Sequence, residues 1–304
     1  MGILSGYLDH EALHGAWMDV AARGRAQVLP VGRSVEGRPL TALQFGQPGA
    51  PSVMLTSLVH GDELVGGMAL LRLLREMVER GDALLERFRF SILPIVNPDG
   101  VVATFRRMRR GRRLGRRQNA HGVDLNRNFG VVAELEKGHP FAGSRLPIAP
   151  HYMGPRAFSE PETRAVRKLV KLSRPRLSLS FHSFGNLLLY PWAFTRRPSL
   201  HARTYQALGE AFRSSQTRPY AVSQSCGFYP TLGDLDDWLE FEHGTRAITV
   251  EVSKPDASLF RSFGFLQPIR WMNPKNFEGA LENLLPGVTG LLNGAAAQPA
   301  LLRS

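Results

Sequence analysis

The sequence predicts an α/β protein in which one twisted, mixed but mostly parallel sheet is flanked by helices. Two apolar runs, SVMLTSLV from Ser52 and RFSILPIV from Arg89, are almost unbroken, which is typical of strands buried on both faces. The segment between them, LVGGMALLRLLREMVER, has helical spacing and stops at Gly81. A strand, a helix and another strand form a crossover unit, and this unit indicates the α/β class.

The remaining segments extend this sheet and its helical layers. QVLPVGRSVEGRPLTALQFG alternates apolar and polar residues around a Gly-rich turn, which predicts a hairpin at a sheet edge. The strands predicted over LSLSFHS and RAITVEV end at His182 and Glu251. Further helices are predicted over residues 13–22 and over FSEPETRAVRKLVKL, ARTYQALGEAFRSS and NFEGALENLLPGVTGLL. By contrast, NPDG is predicted to be a turn before an Arg-rich loop, and GFYPTLGDLDDWLE is predicted to be a loop.

Length and composition favour a single domain. The 304 residues are 43% hydrophobic, which is enough for one large core, and no linker or low-complexity segment divides them. We predict one domain over residues 1–292 and a disordered tail over residues 293–304, where small residues predominate.

The charge of the chain raises the question of a polyanionic partner. The net charge is +12, and many of the arginines lie in one run, FRRMRRGRRLGRR, from Phe105 to Arg117. No aromatic residues are interleaved with the later part of this run, and neither a helix-turn-helix nor a zinc-knuckle spacing is present. Direct nucleic-acid binding is therefore disfavoured, and a genome-wide preference for Arg would explain the bias equally well.

The location expected from the sequence is the cytoplasm. No segment approaches the roughly 18 apolar residues that a membrane helix requires, so no membrane contact is predicted. The first twenty residues contain Asp9, His10 and Glu11 and no continuous apolar stretch, so no signal peptide is expected. The single Cys226 cannot form an internal disulfide, which fits a reducing compartment.

Metal-binding side chains lie at the ends of two of the predicted strands. His60 and Glu63 come directly after the first apolar run, and His182 ends a later strand. Because the carboxyl ends of parallel strands meet at one edge of an open sheet, we expect these side chains to lie together. Two imidazoles and one carboxylate form a catalytic type of zinc site, with one coordination position left for water or substrate. Glu251, at the end of another strand, is then free to act as a general base.

The order of the motifs resembles that of a known family. The chain is similar to the zinc metallocarboxypeptidases of the carboxypeptidase A/B (funnelin) family, and closer to the regulatory and bacterial branches than to the digestive enzymes. The motifs that carry the resemblance are HGDE, NPDG, GVDLNRNF, FSEPET, FHSFGNLLLYPW and, finally, Tyr229 followed by Glu251. The resemblance implies one zinc ion per chain, held by His60, Glu63 and His182, and a peptide substrate with a free C-terminal carboxylate.

The resemblance also implies roles in catalysis. Glu251 would activate the attacking water and then protonate the leaving amine. Arg117 would stabilise the developing oxyanion, a role in which fixed positive charge in a dry site has a large effect. Several neighbours could take its place instead: Arg109, Arg110, Arg112, Arg113 and Arg116. Asp124 would orient His60 from outside the metal ligands.

Four further residues match substrate contacts of the family. Asn126 and Arg127 would hold the terminal carboxylate, for which a guanidinium is suited because it can donate two parallel hydrogen bonds. Tyr229 would cap the bound substrate. By spacing, Asp236 falls where members that prefer C-terminal Lys or Arg have an acidic pocket residue. The alternative is that the whole DLDDW segment lies in solvent.

Three functions remain open at the level of sequence. The first is a carboxypeptidase that removes one C-terminal residue, with a basic residue as a candidate. The second is a murein-peptide amidase that cleaves the bond to diaminopimelate, since that residue carries both a cation and a carboxylate. The third is an inactive zinc-binding module that holds an anionic partner with its Arg run, and the presence of Glu251 argues against it. No propeptide is visible before GRSVEGRPL, so an enzyme made in active form is expected, and no oligomeric state is predicted.

Overall fold

An eight-stranded mixed sheet lies at the centre of the protein. The structure is a computed structural model and describes residues 4–130, 132, 139–255 and 268–302. The strands are, in chain order, β1 (Gln27–Arg33), β2 (Pro39–Phe45), β3 (Ser52–Ser57), β4 (Arg89–Leu93), β5 (Leu177–His182), β6 (Leu187–Tyr190), β7 (Ala221–Gln224) and β8 (Arg246–Glu251). Their order across the sheet is β1-β2-β4-β3-β5-β8-β6-β7.

The middle of the sheet is parallel. Strands β4, β3, β5 and β8 pair with one another in parallel, whereas β1 and β2 form the predicted antiparallel hairpin at one edge. All six residues of β3 and all six residues of β5 are buried, as expected for strands that are covered on both faces. The predicted fold class is confirmed. The four parallel strands all end at the same edge of the sheet, and this edge carries the polar residues of interest.

Helices cover both faces of the sheet. They are α1 (His10–Arg23), α2 (Leu64–Arg80), α3 (Leu84–Arg87), α4 (Pro98–Arg109), α5 (Pro161–Ser173), α6 (Ala202–Ser214), α7 (Ser225–Phe228), α8 (Leu235–His243), α9 (Ile269–Met272) and α10 (Glu278–Ala297). One apolar core contains Val53 and Leu55 of β3 with residues of α1, α2, α6 and α10. The other contains Met54 with residues of α5 and α8, so alternate side chains of β3 face opposite layers.

Two segments predicted as turns or loops instead begin helices. The Asn97 side chain accepts a hydrogen bond from the Gly100 N–H at 2.8 Å, and Pro98 occupies the first turn of α4. The first arginines of the basic run therefore lie in the last turn of α4. Asp234 caps α8 in the same way, through the Asp237 N–H at 2.9 Å. Asn and Asp favour both turns and helix starts, so the residues alone did not separate the two outcomes.

The predicted tail is wrong for residues 293–302. Helix α10 continues to Ala297, and a 3-10 helix follows over Pro299–Leu302. Leu292, Ala295 and Leu302 are buried, and alanine is the strongest helix former, so the small residues extend a packed helix. Residues 303–304 lie outside the described residues.

Candidate metal centre and active site

Three buried side chains converge at the carboxyl ends of the central strands. His60 follows β3, Glu63 directly precedes α2, and His182 is the last residue of β5. The His60 Nδ1 atom lies 2.8 Å from Glu63 Oε1, and His182 Nδ1 lies 2.9 Å from Glu63 Oε2 and 3.2 Å from His60 Nδ1. In the described ranges these are the three residues whose ligand atoms could together hold a metal ion.

Two glycines allow this convergence. A Cβ atom on Gly61 would lie 2.2 Å from the Gly100 carbonyl carbon, so the turn after β3 can pack against the start of α4 only with glycine there. A Cβ atom on Gly66 would lie 2.8 Å from the Phe181 carbonyl oxygen. The absence of that atom lets the first turn of α2 approach the end of β5, which brings Glu63 to His182.

The donor set fits zinc. Each imidazole is held at its Nε2 atom, that of His60 by Asp124 Oδ1 at 3.1 Å and that of His182 by Ser180 Oγ at 3.0 Å. Both Nδ1 atoms therefore face the Glu63 carboxylate. When His60 donates its Nε2–H to Asp124, its Nδ1 atom carries a lone pair that can bind a metal. Burial raises the pKa of Glu63, but the two imidazoles outweigh burial and hold that pKa well below its usual range. Two nitrogen ligands and one carboxylate are the set that catalytic zinc uses.

Arg117 is the arginine of the basic run that reaches this centre. It donates from Nε to Asp124 Oδ2 at 3.0 Å and from Nη1 to Glu63 Oε1 at 3.2 Å. Its Nη2 atom is buried and has no partner among the described residues. The adjacent Arg116 turns away and donates to the Asn119 carbonyl oxygen at 3.1 Å. Of the alternatives left open by the sequence, the structure brings Arg117 into the site.

Glu251 lies beside the metal ligands because of strand register. In the parallel pair of β5 and β8, Glu251 is opposite His182. Burial raises the pKa of the Glu251 carboxyl well above its usual range, the charge of Glu63 adds to this, and Arg117 opposes it. Its Oε2 atom is buried without a partner among the described residues. A divalent cation at the three ligands would also oppose the rise of the pKa.

Asn126, Arg127 and Tyr229 form a second group next to the centre. Arg127 is buried and donates from Nε and Nη2 to the Phe141 carbonyl oxygen and from Nη1 to the Asn126 carbonyl oxygen. The Asn126 side-chain oxygen accepts the Leu235 N–H at 3.0 Å, which leaves its NH₂ group as a donor. The Arg127 Cζ atom lies 5.9 Å from the centre of the Tyr229 ring.

Asp236 is buried, which answers the question of whether it lies in solvent. Its Oδ2 atom accepts a hydrogen bond from Thr249 Oγ1 at 2.7 Å, and its Oδ1 atom has no partner among the described residues. Thr249 and Glu251 are two positions apart on β8 and therefore face the same side of the sheet. Burial, with the charge of Asp234, raises the pKa of Asp236 to about 8. Asp236 thus lies on the side of the sheet that Glu251 faces.

Comparison with known proteins identifies the family. A family model described as zinc carboxypeptidase (Peptidase_M14) matches residues 15–280. This chain belongs to the zinc carboxypeptidase family. Carboxypeptidase B from Astacus astacus is 30% identical over 296 residues, which cover 90% of this chain and 94% of that protein. Carboxypeptidase B from Helicoverpa zea is 31% identical over 261 residues, which cover 78% of this chain but 58% of that protein.

The fold agrees with that assignment. The crystal structure of carboxypeptidase A from Helicoverpa armigera matches with a TM-score of 0.76 and 25% identity, over 96% of this chain and 74% of that one. The family is one of metallocarboxypeptidase hydrolases that use one zinc ion, and His60, Glu63 and His182 fit that ion. Among the described residues, no helix is both long enough and apolar enough to cross a membrane.

The site contains one residue that no sequence motif singled out. His151, in the long loop before α5, contacts Asp124 Oδ2 through Nδ1 at 3.1 Å. Asp124 is fully buried and also contacts His60, Arg117 and the Asn126 N–H, so His151 contributes to a shared network. Nothing in the surrounding sequence could have identified it, because the loop has no periodicity and the contact depends on its folded path.

We expect His151→Phe to lower zinc affinity by on the order of tenfold or less, since outer contacts of a metal site typically contribute 10–100-fold and Asp124 keeps three other partners. The Phe ring retains the edge contact that His151 makes with Phe141. Zinc affinity is measured by competition with a chelator. His121→Phe is the control, because His121 is exposed and contacts Glu160 instead. Equal affinities of the two variants would show that the His151 contact has no effect on the metal.

Proposed function

We propose that this protein is a zinc-dependent carboxypeptidase that hydrolyses the C-terminal peptide bond and prefers a basic C-terminal residue. The observation that carries the proposal is that several buried polar atoms in and beside the metal centre have no partners among the described residues. They include Arg117 Nη2, Glu251 Oε2 and Asp236 Oδ1. Buried polar atoms normally have hydrogen-bond partners, so a donor and two acceptors left unpaired in one site are suited to a ligand.

The terminal carboxylate is the feature that selects the C-terminal bond. A guanidinium has five N–H donors, and three of those of Arg127 are directed to backbone carbonyls. One N–H therefore remains on each Nη atom, which is the arrangement that grips a carboxylate with two parallel bonds. The NH₂ group of Asn126 adds a donor beside it, and Tyr229 lies over this pair.

Two residues assist the zinc ion in bond cleavage, one by transferring protons and the other by stabilising negative charge. Zinc, when bound, supplies a Lewis acid that polarises the scissile carbonyl and lowers the pKa of water. Glu251 takes a proton from the attacking water and gives it to the leaving amine, and a raised pKa suits both directions of transfer near neutral pH. Arg117 directs its Nη2–H groups at the oxygen on which negative charge develops. The carboxylates of Asp124 and Glu63 hold Arg117 in place at its other nitrogens.

Asp236 supports the preference for a basic residue. A substrate cation beside its unpaired oxygen would favour the ionised carboxyl and lower the pKa of Asp236. A substrate with an apolar C-terminal side chain would leave that oxygen without a partner, whether the Asp236 carboxyl is protonated or ionised. Two relatives that are 30% and 31% identical are named carboxypeptidase B, which agrees with this choice, and a third at 30% is named zinc carboxypeptidase.

We expect Asp236→Asn to lower kcat/KM for peptides ending in Arg by roughly 10²–10⁴-fold, because removing one partner of a buried ion pair costs about 3–5 kcal/mol. For peptides ending in Phe, kcat/KM should stay the same or rise. The measurement compares hippuryl-Arg and hippuryl-Phe with the zinc-loaded protein. Glu242→Gln on the same helix is the control, since Glu242 is exposed.

The pH profile gives a second readout of Asp236. With a pKa of about 8 in the free protein, its carboxyl is protonated below that pH and ionised above it. The ratio of kcat/KM for Arg over Phe peptides should therefore increase as the pH rises towards 8, and Asp236→Asn should make the ratio independent of pH. A wild-type preference for Phe, or an unchanged ratio in Asp236→Asn, would refute the basic preference while leaving the peptidase intact.

A pool of peptides tests the wider proposal. Single C-terminal residues should be lost from the pool, and a chelator should prevent the loss. The pool includes a murein tripeptide, and release of diaminopimelate alone would assign the protein to murein-peptide cleavage. No chelator-sensitive cleavage of any peptide would refute the enzyme. The cytoplasmic location is also part of the proposal, supported by the single cysteine, and fractionation of the source cells tests it.

A further inference from the structure

A cavity lined by arginines lies beside the active site and has no part in the proposed reaction. Its volume is about 750 Å³, which is within the range of small-molecule sites. Six arginines line it: Arg106, Arg107, Arg110, Arg112, Arg113 and Arg116. They come from the end of α4 and from the segment that returns to Arg117 and the metal centre. We refer to this feature as the Arg-lined cavity.

The positive charge of the cavity is poorly compensated. Its two acidic residues, Glu36 and Asp99, both form ion pairs with Arg38. Within the described ranges, none of its six arginines forms an ion pair with a carboxylate; Arg107 and Arg116 donate to backbone carbonyl oxygens instead. Burial lowers the pKa of Arg116, and repulsion from the charge of Arg107 lowers it further. An anion in the cavity would relieve this repulsion.

The wall of the cavity is preformed. Arg107 donates from Nη1 to the Gly115 carbonyl oxygen at 2.6 Å, and the Arg116 N–H donates to Thr104 Oγ1 at 2.8 Å. Gly111 has a φ of 70°, which lets the chain reverse after α4, and the Arg112 N–H then bonds the Arg107 carbonyl oxygen at 3.0 Å. The segment is thus tied back to α4, so its backbone needs little ordering to bind a ligand.

We propose that the Arg-lined cavity binds the phosphate groups of an oligophosphate chain. A phosphate group carries about −1.5 to −2 charges and three acceptor oxygens, so it neutralises several guanidiniums in a small volume better than a carboxylate does. The residues that line the cavity in the described part of the chain include no aromatic ring on which a nucleobase could stack. The site therefore recognises charge rather than bases. This site is separate from the side chains that act on the peptide, so phosphate binding there is compatible with peptidase activity.

Calorimetric titration with tripolyphosphate tests the proposal, using the full-length zinc-loaded protein at physiological salt. We expect binding by the wild type and a loss of affinity of at least about tenfold in the triple variant Arg110→Gln, Arg112→Gln, Arg113→Gln, since the variant loses three charges and their charge-assisted hydrogen bonds to phosphate, which solvent weakens at exposed side chains. The matched control removes the same charge from three exposed arginines outside the cavity: Arg87→Gln, Arg196→Gln, Arg203→Gln. Zinc content and hippuryl-Arg hydrolysis should be unchanged in both triple variants.

Three further ligands decide the chemistry. ATP should bind no more tightly than tripolyphosphate, and poly-glutamate and duplex DNA should bind more weakly than tripolyphosphate. No binding of tripolyphosphate by the wild type, or equal loss of affinity in the two triple variants, would overturn the proposal. Tighter binding of ATP would show that a base is read, and tighter binding of poly-glutamate or DNA would show a different partner. Either result would also overturn it.

Discussion

Glu251→Gln is expected to keep its zinc and to hydrolyse peptides roughly 10²–10⁴-fold more slowly than the wild type, which is the usual contribution of a general acid–base. Gln has nearly the same shape as Glu, so the position opposite His182 and the three metal ligands stay as they are. What is lost is the ability to take a proton from water and return it to the amine. Zinc content by mass spectrometry and kcat with hippuryl-Arg measure the two effects.

The stability of the zinc-free protein separates this loss from misfolding. Because the pKa of Glu251 is higher in the fold than its unfolded value near 4.3, the fold loses stability as pH rises above about 4.3. Gln removes this loss. In chelator, Glu251→Gln should melt at or above the wild-type temperature, and the difference should be larger at pH 8 than at pH 5. The exposed Glu210→Gln serves as control. Turnover near the wild-type rate by Glu251→Gln would exclude Glu251 as the base.

The chemistry at the strand ends could be predicted because it depends on the parallel sheet. His60 follows a strand, and His182 and Glu251 each end one, and all three strands are visible as patterns in the sequence. Once those strands are parallel neighbours, their following residues must share an edge, and the register of His182 with Glu251 is one example of this geometry. Glycine at positions 61 and 66 then sets how closely the turns approach. The sequence showed these glycines but not the contacts that require them.

The contacts made by loops could not be predicted in the same way. His151 reaches Asp124 from a loop without periodicity, and no pattern fixes such a path. Asp236 could have lain in solvent until helix α8 was seen to begin at its neighbour Leu235 and to turn the carboxylate inward. Likewise, a run of arginines in sequence does not show which of them faces the metal. The tertiary fold decides this, since Arg117 points to Glu63 while Arg116 points to Asn119.

His182→Ala is expected to lose zinc. His182 Nδ1 lies between His60 Nδ1 and Glu63 Oε2, and both of those residues remain in the variant. Two ligands hold zinc much less tightly than three, and the alanine methyl group supplies no replacement donor. After dialysis against metal-free buffer, the wild type should retain about one zinc ion per chain, whereas the variant should retain almost none. His14→Ala, in helix α1, is the control.

Thermal melting with and without zinc shows whether this loss is one of binding or of folding. A ligand that binds only the folded state stabilises it by about 4 kcal/mol at 1,000 times its Kd, so added zinc should raise the melting temperature of the wild type. The melting temperature of His182→Ala should not respond to zinc. In chelator, the free energies of unfolding of the two proteins should differ only by the effect of the substitution on the zinc-free fold. This effect includes the loss of the contact between His182 and Ser180. If the variant folds in chelator, has the same melting temperature with and without zinc, and cleaves no peptide, then it has lost the metal site and kept the fold. Full zinc occupancy in that variant would instead remove His182 from the ligands, and the metal would then have to be held by His60, Glu63 and a donor from elsewhere.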